Sequence, residues 1–163
     1  MKKVLILIAS DFADDEVFIP QKLLHEKGVE VTLCSLKDKS VISSNGVTLN
    51  DLPLYKDQNL EEFHSLLIAG GLKAVKHYKE DWSFIESLLT KPEHLILCGV
   101  GSVPALIFAP LGLLDGKEAT TLPFLSQFGS FTDKLVCKSG DIITGKDKTS
   151  LFEFTNTLIS SSL

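Results

Sequence analysis

Cysteine is scarce in this chain of 163 residues: Cys34, Cys98 and Cys137 stand far apart, and no CxxC pair occurs. So sparse and odd a set excludes a disulfide scaffold, gives no zinc motif, and reads as free thiols in a reducing compartment. Basic residues are also short, 16 against 21 acidic ones, for a net charge of −5. A protein that grips nucleic acid must neutralise phosphates with a basic surface, so no nucleic-acid partner is expected. Internal repeats, linkers and low-complexity stretches are missing as well, which leaves one domain over residues 1–163. The four histidines, His25, His64, His77 and His94, share no ligand spacing, so no metal site is expected.

Long uninterrupted apolar runs are lacking too. Lys2 and Lys3 precede the apolar stretch 4–9, but it is too short for a signal sequence. Asp11, Asp14, Asp15 and Glu16 then stand where a cleavage site needs small residues. Residues 95–114 carry no charge over a length that could span a bilayer. Gly99, Gly101, Pro104, Pro110 and Gly112 interrupt them, however, and a strand, a sharp turn and a buried helix fit better. These absences predict a cytoplasmic protein with no membrane partner.

What is present is an alternation of strands and helices. Residues 3–9 form a short continuous apolar run, the pattern of a strand covered on both faces. Ser10 or Asp11 is placed to cap a helix running to about Lys27, with Asp14, Asp15 and Glu16 at the positive end of its dipole. Ile19, Leu23 and Leu24 make its expected inner face, and Gly28 stops it. A second strand at 29–36 completes a β-α-β unit, which implies parallel pairing. Asn45-Gly46 favours a hairpin. Further strands are expected at 65–69, 94–99, 118–121, 134–137 and 141–144, and helices at 73–79, 82–89 and 103–109. The last helix begins near Ser150, where Ser150 and Glu153 have capping-box spacing; Leu151, Phe154 and Leu158 should face the sheet. The fold class is α/β, a mainly parallel sheet with helices on both faces.

In such sheets ligands bind beyond the carboxyl ends of the strands. There the sequence places Glu16, Gly70-Gly71 and the small residues Gly99, Gly101 and Ser102. A sharp strand-to-helix turn presents one side chain into a pocket, and small neighbours relieve its crowding. Gly70, Gly71 and Gly101 are candidates for backbone N–H groups that stabilise an oxyanion. Glu16 is the candidate proton carrier. Gly99-x-Gly101 starts like a dinucleotide fingerprint, but Pro104 takes the third glycine's place and no P-loop pattern occurs, so no cofactor is expected.

At these residues the chain resembles the ThiJ/PfpI superfamily, of the parkinsonism-associated protein deglycase type and the class I glutamine amidotransferase-like fold. The resemblance covers nearly the whole chain: "KKVLILIAS", "DDEVFIPQKLLHEKGVEVTLCSL" with Glu16 on the family's acid, "SLLIAGG" with Ala69 for its proline, "GLLDGKEATTLP" and "DIITGKDKTSLFEF". It implies a flavodoxin-like sandwich and a homodimer. The family's elbow reads Cys-x-Gly-Pro, with a leucine six positions after the cysteine. Setting Leu106 on that leucine puts Val100 at the nucleophile position and Ser102 two residues on. Two other registers stay open. Cys98 as nucleophile pushes Pro104 deeper into the following helix, at about 3 kcal/mol, and Ser102 as nucleophile stretches the strand through Gly99 and Gly101. Some members carry a histidine after the cysteine, where the Val100 register has Gly101; others have Thr-Thr-His-Pro, where this chain has Leu122.

Two functions follow from the resemblance. The first is a stress-related member with a degenerate site, which keeps Glu16 and the glycine loop and binds a small carbonyl or carboxylate ligand. The second is an active aldehyde- or glycation-repair or amidase-type hydrolase, with Cys98 or Ser102 as nucleophile and Glu16 as its proton partner.

Overall fold

Five consecutive aliphatic residues, Val4 to Ile8, are fully buried because elements cover both faces of their strand. The computed structural model describes residues 2–162. Its strands are β1 (Lys3–Ile8), β2 (Glu30–Ser35), β3 (Val41–Ile42), β4 (Thr48–Leu49), β5 (Ser65–Ile68), β6 (Ile96–Val100), β7 (Val136–Ser139) and β8 (Ile142–Gly145). Six of them form one sheet in the order β2-β1-β5-β6-β8-β7, while β3 and β4 pair as a separate hairpin. Within the sheet every pair is parallel except β7 with β8.

The two faces of the sheet bury alternate residues, as the pleat requires. On one face Val4, Ile6, Ile8, Leu67, Cys98, Val100 and Ile143 pack against α1 (Asp14–Glu26) and α4 (Leu151–Ser162) through Val17, Leu24, Leu151, Phe154 and Leu158. On the other, Leu5, Leu7, Leu66, Ile68 and Leu97 meet α2 (Val75–Lys79), α3 (Trp82–Leu89) and the helical turns at 104–108. Leu151, Phe154 and Leu158 thus face the sheet as their spacing predicts.

Several local expectations are corrected. α1 begins at Asp14 and not after Ser10, and no side chain caps it. Asp11 has a φ of +67°, and the Ala13 N–H is satisfied from outside the helix by the Gly70 carbonyl at 2.9 Å. Ile19 faces outward at 37% exposure, because Val17, Pro20 and Leu24 take the inner face. Residues 118–121 make no strand; Thr120 donates its N–H to the Thr144 hydroxyl, a side-chain partner that interrupts any ladder. The helix at 103–109 is a π-type turn over Pro104–Phe108, closed by Ala109 N–H donating to Pro104 O at 2.9 Å. The Ser150 hydroxyl donates to the Asp147 carbonyl, and Asp147 itself caps the preceding turn by accepting from Thr149 N–H, so no capping box forms.

Candidate functional site

The carboxyl ends of β1, β5, β6 and β8 open into one cleft of about 380 Å³. Glu16 enters it from the first turn of α1, Gly71 and Leu72 from the loop after β5, and Gly101 and Ser102 from the turn after β6. Leu122 closes one side, while Asp147, Lys148 and Thr149 form the rim beyond β8. Glu16, Gly71, Gly101 and Ser102 are thus brought together from a helix start and two strand-end turns, as the sequence suggests.

Glu16 is the titratable group at the heart of this cleft. Its Oε1 accepts the Gly70 N–H at 2.8 Å. Burial dominates its electrostatics and pushes its carboxyl up to about 8; the Gly70 hydrogen bond opposes the shift and the nearby Asp15 charge adds to it. Close packing fixes this geometry. A Cβ on Gly70 would lie 2.9 Å from both Ser102 Oγ and Val103 Cγ2, and 3.2 Å from Glu16 Oε1, so only glycine lets the loop approach. Tyr78 braces the floor from below, its hydroxyl donating to Ala69 O at 2.8 Å.

The sharp turn after β6 is at Gly101, not at Val100. Gly101 has the left-handed φ of +67°, whereas Val100 is the last strand residue and its side chain is buried among the α1 and α4 contacts. The turn is held on both sides: Gly101 N–H donates to Gly145 O at 2.9 Å, and Gly101 O accepts from the Thr121 hydroxyl at 2.7 Å and Leu122 N–H at 2.9 Å. A Cβ at this position would point at Glu16 Oε2, 3.4 Å away. The sharp turn is thus built around Gly101, which carries no side chain.

The backbone donors are also spent differently from expectation. Gly70 N–H belongs to Glu16 and Gly101 N–H to Gly145, so neither is free for an oxyanion. Gly71 N–H reaches Ser102 Oγ at a long 3.4 Å. Cys98 does not line the cleft: it is fully buried in mid-strand on the α1 and α4 face, and burial pushes its thiol well above the usual range. Ser102 does line it and is itself 3% exposed. No group of three or more potential metal ligands occurs among the described residues.

Residues 2–161 match the DJ-1/PfpI family. The chain belongs to that family. A Pyrococcus abyssi protein named a deglycase is 33% identical over 133 residues, covering 74% of this chain and 72% of its own. The dj-1beta protein of Drosophila melanogaster is 24% identical over 168 residues, 94% of this chain and 85% of its own. The solved structure of oxidised Toxoplasma gondii DJ-1 superposes with a TM-score of 0.90 at 25% identity, over 98% of this chain and 90% of that one. The flavodoxin-like α/β sandwich implied by the resemblance is therefore the fold of this DJ-1/PfpI chain. No helix among the described residues is long and apolar enough to cross a membrane.

Two features of this DJ-1/PfpI site escaped sequence reasoning. The first is the rim of Leu72, Asp147, Lys148 and Thr149; their position after β5 and β8 was the available signal, since both strands end at the cleft. The second is Asp14, which reads as a dipole partner but pins the β3–β4 hairpin to α1. It accepts from the Ser43 hydroxyl at 2.6 Å, the Ser44 hydroxyl at 3.2 Å and Asn45 N–H at 3.1 Å. Burial opposes its charge, yet these three donors outweigh burial and hold its carboxyl below the usual carboxylate range. No local spacing announces a contact between residues so far apart.

Proposed function

We propose that this chain is a thiol-independent member of the DJ-1/PfpI family, which binds a small carbonyl or carboxylate ligand in the Glu16 cleft. The observation that carries the reading is Gly101 at the apex of the turn, with its missing side chain directed at Glu16 Oε2. Counted from Gly101, the family's Cys-x-Gly-Pro becomes Gly101-Ser102-Val103-Pro104, which brings the proline into register. The same count sets Ser102 where some members carry histidine, and Leu122 stands where others do; neither replaces an imidazole. A glycine offers no nucleophile, and Cys98 lies in the core. What persists is recognition: a carboxyl fixed by a glycine loop, a serine hydroxyl and apolar walls.

Dimerisation and a cytoplasmic location belong to the same proposal. Relatives of this fold support the first, and three buried free cysteines support the second. The test is amide-shift mapping during titration with acetone, acetamide and acetate, alongside methylglyoxal consumption. Shifts confined to Gly70, Gly71, Gly101 and Ser102, with any consumption insensitive to Cys98→Ser, support the reading. Unmoved cleft amides, or consumption abolished by Cys98→Ser, overturn it in favour of the thiol hydrolase.

A further inference from the structure

A cleft with one carboxyl, Glu16, at its centre and no thiol in its lining has a narrow chemical range, and that range includes moving a proton. The two oxygens of Glu16 have separate surroundings. Oε1 is committed to Gly70 N–H at 2.8 Å, which fixes the plane of the carboxyl. Oε2 faces the space above Gly101 that a side chain would otherwise fill. Ser102 lines the same cleft, and its Oγ and Glu16 Oε1 approach a second point, the position of a Cβ on Gly70, to 2.9 and 3.2 Å. Ser102 Oγ accepts from Gly71 N–H and keeps its own hydrogen to donate. Leu72 and Leu122 supply the apolar walls, and about 380 Å³ admits a molecule of three or four carbons.

We propose that this cleft isomerises short neutral α-hydroxycarbonyl compounds, with Glu16 carboxylate taking the proton from the carbon beside the carbonyl and Ser102 donating to the carbonyl oxygen. The inference rests on the thiol-independent reading above and adds a reaction to it. The C–H bond at the hydroxyl-bearing carbon breaks, its proton passes to Glu16 Oε2, its electron pair becomes the new C=C bond, and the carbonyl π pair moves onto the carbonyl oxygen, giving an enediolate that accepts the Ser102 hydrogen bond. Glu16 returns the proton to the former carbonyl carbon while the hydroxyl proton of the adjacent oxygen leaves to the other oxygen. The product is an isomer of the substrate, so no oxidant, reductant or co-reactant is consumed.

The raised carboxyl of Glu16 suits this task, since a base titrating near neutrality combines a usable deprotonated fraction with real basicity. The charged and titratable groups that face it are Asp15 on its own helix, whose charge raises it, Tyr78 from α2, and Asp147 and Lys148 at the rim.

The test places the full chain in D₂O with dihydroxyacetone or glyceraldehyde and follows deuterium incorporation and interconversion by proton NMR. Expected are rates above the buffer background that rise with pH through about 8. Glu16→Gln should lower them by about a hundredfold or more, Ser102→Ala should lower them less, and Cys98→Ser should leave them unchanged. Glu16→Asp, which withdraws the carboxylate by one methylene, serves as a second variant should the glutamine fold poorly, and it too should slow exchange. Background rates in a protein whose cleft amides still shift with acetone overturn the isomerase and leave the binding reading intact. Exchange that survives Glu16→Gln overturns the inference as well.

Discussion

Replacing Glu16 by glutamine should change the pH dependence of folding in a direction that the structure dictates. In the folded protein the carboxyl is pushed from its ordinary 4.5 up to about 8, chiefly by burial. Between those values the folded state holds a proton that the unfolded chain has released. Stability therefore falls as pH rises through this window; the penalty is absent below 4.5 and complete above about 8. At about 1.4 kcal/mol per pH unit the ceiling is about 5 kcal/mol. The cleft-facing edge of the carboxyl touches water, and screening there reduces the expectation to about 2 kcal/mol. Glutamine keeps an oxygen to accept the Gly70 N–H and carries no charge. Wild type and variant should unfold alike at acidic pH. By pH 9 the variant should be the more stable, with a thermal midpoint about 4–8 °C higher. Thermal unfolding followed by circular dichroism across this range measures the gap directly. A constant gap at every pH, or one that closes as pH rises, refutes the burial argument.

Gly101→Cys should fold, at a cost of about 1–2 kcal/mol for the left-handed backbone, because its Cβ meets only Glu16 Oε2 at an ordinary 3.4 Å. Its new thiol should react with iodoacetamide far faster than Cys98, which peptide mass spectrometry resolves; equal labelling would remove Gly101 from the cleft. Gly70→Ala forces a Cβ to 2.9 Å from Val103 Cγ2, and urea unfolding should show a loss of about 1–3 kcal/mol. Asp14→Asn should cost about 1.5–3 kcal/mol at neutral pH through its three lost charge-assisted bonds. Because the folded Asp14 carboxyl titrates below 3.8, that gap should narrow as pH falls through this region. Faster amide exchange at 43–47 would localise the effect to the hairpin, and unchanged exchange there would refute it.

The alternation of apolar runs with amphipathic stretches was enough to specify the sandwich. Val4–Ile8 can be satisfied only between two layers, and Leu151, Phe154 and Leu158 only against one. The convergence of Glu16 with Gly70-Gly71 was also legible, because strand ends in a parallel sheet converge whatever their separation along the chain. The turn residue was not. The family resemblance sets the elbow at Val100, whereas the residue of positive φ is Gly101, since a run of small residues leaves the end of β6 undetermined within that margin. The tertiary structure decided it: β6 and β8 stay paired through Val100 and Gly145, and the next residue alone adopts a positive φ. The partners of the Gly70 and Gly101 amides and of Asp14 were likewise beyond sequence reading. Each is a hydrogen bond across 29 residues of chain or more, and such bonds exist only once burial has brought the groups together and made an unpaired one costly.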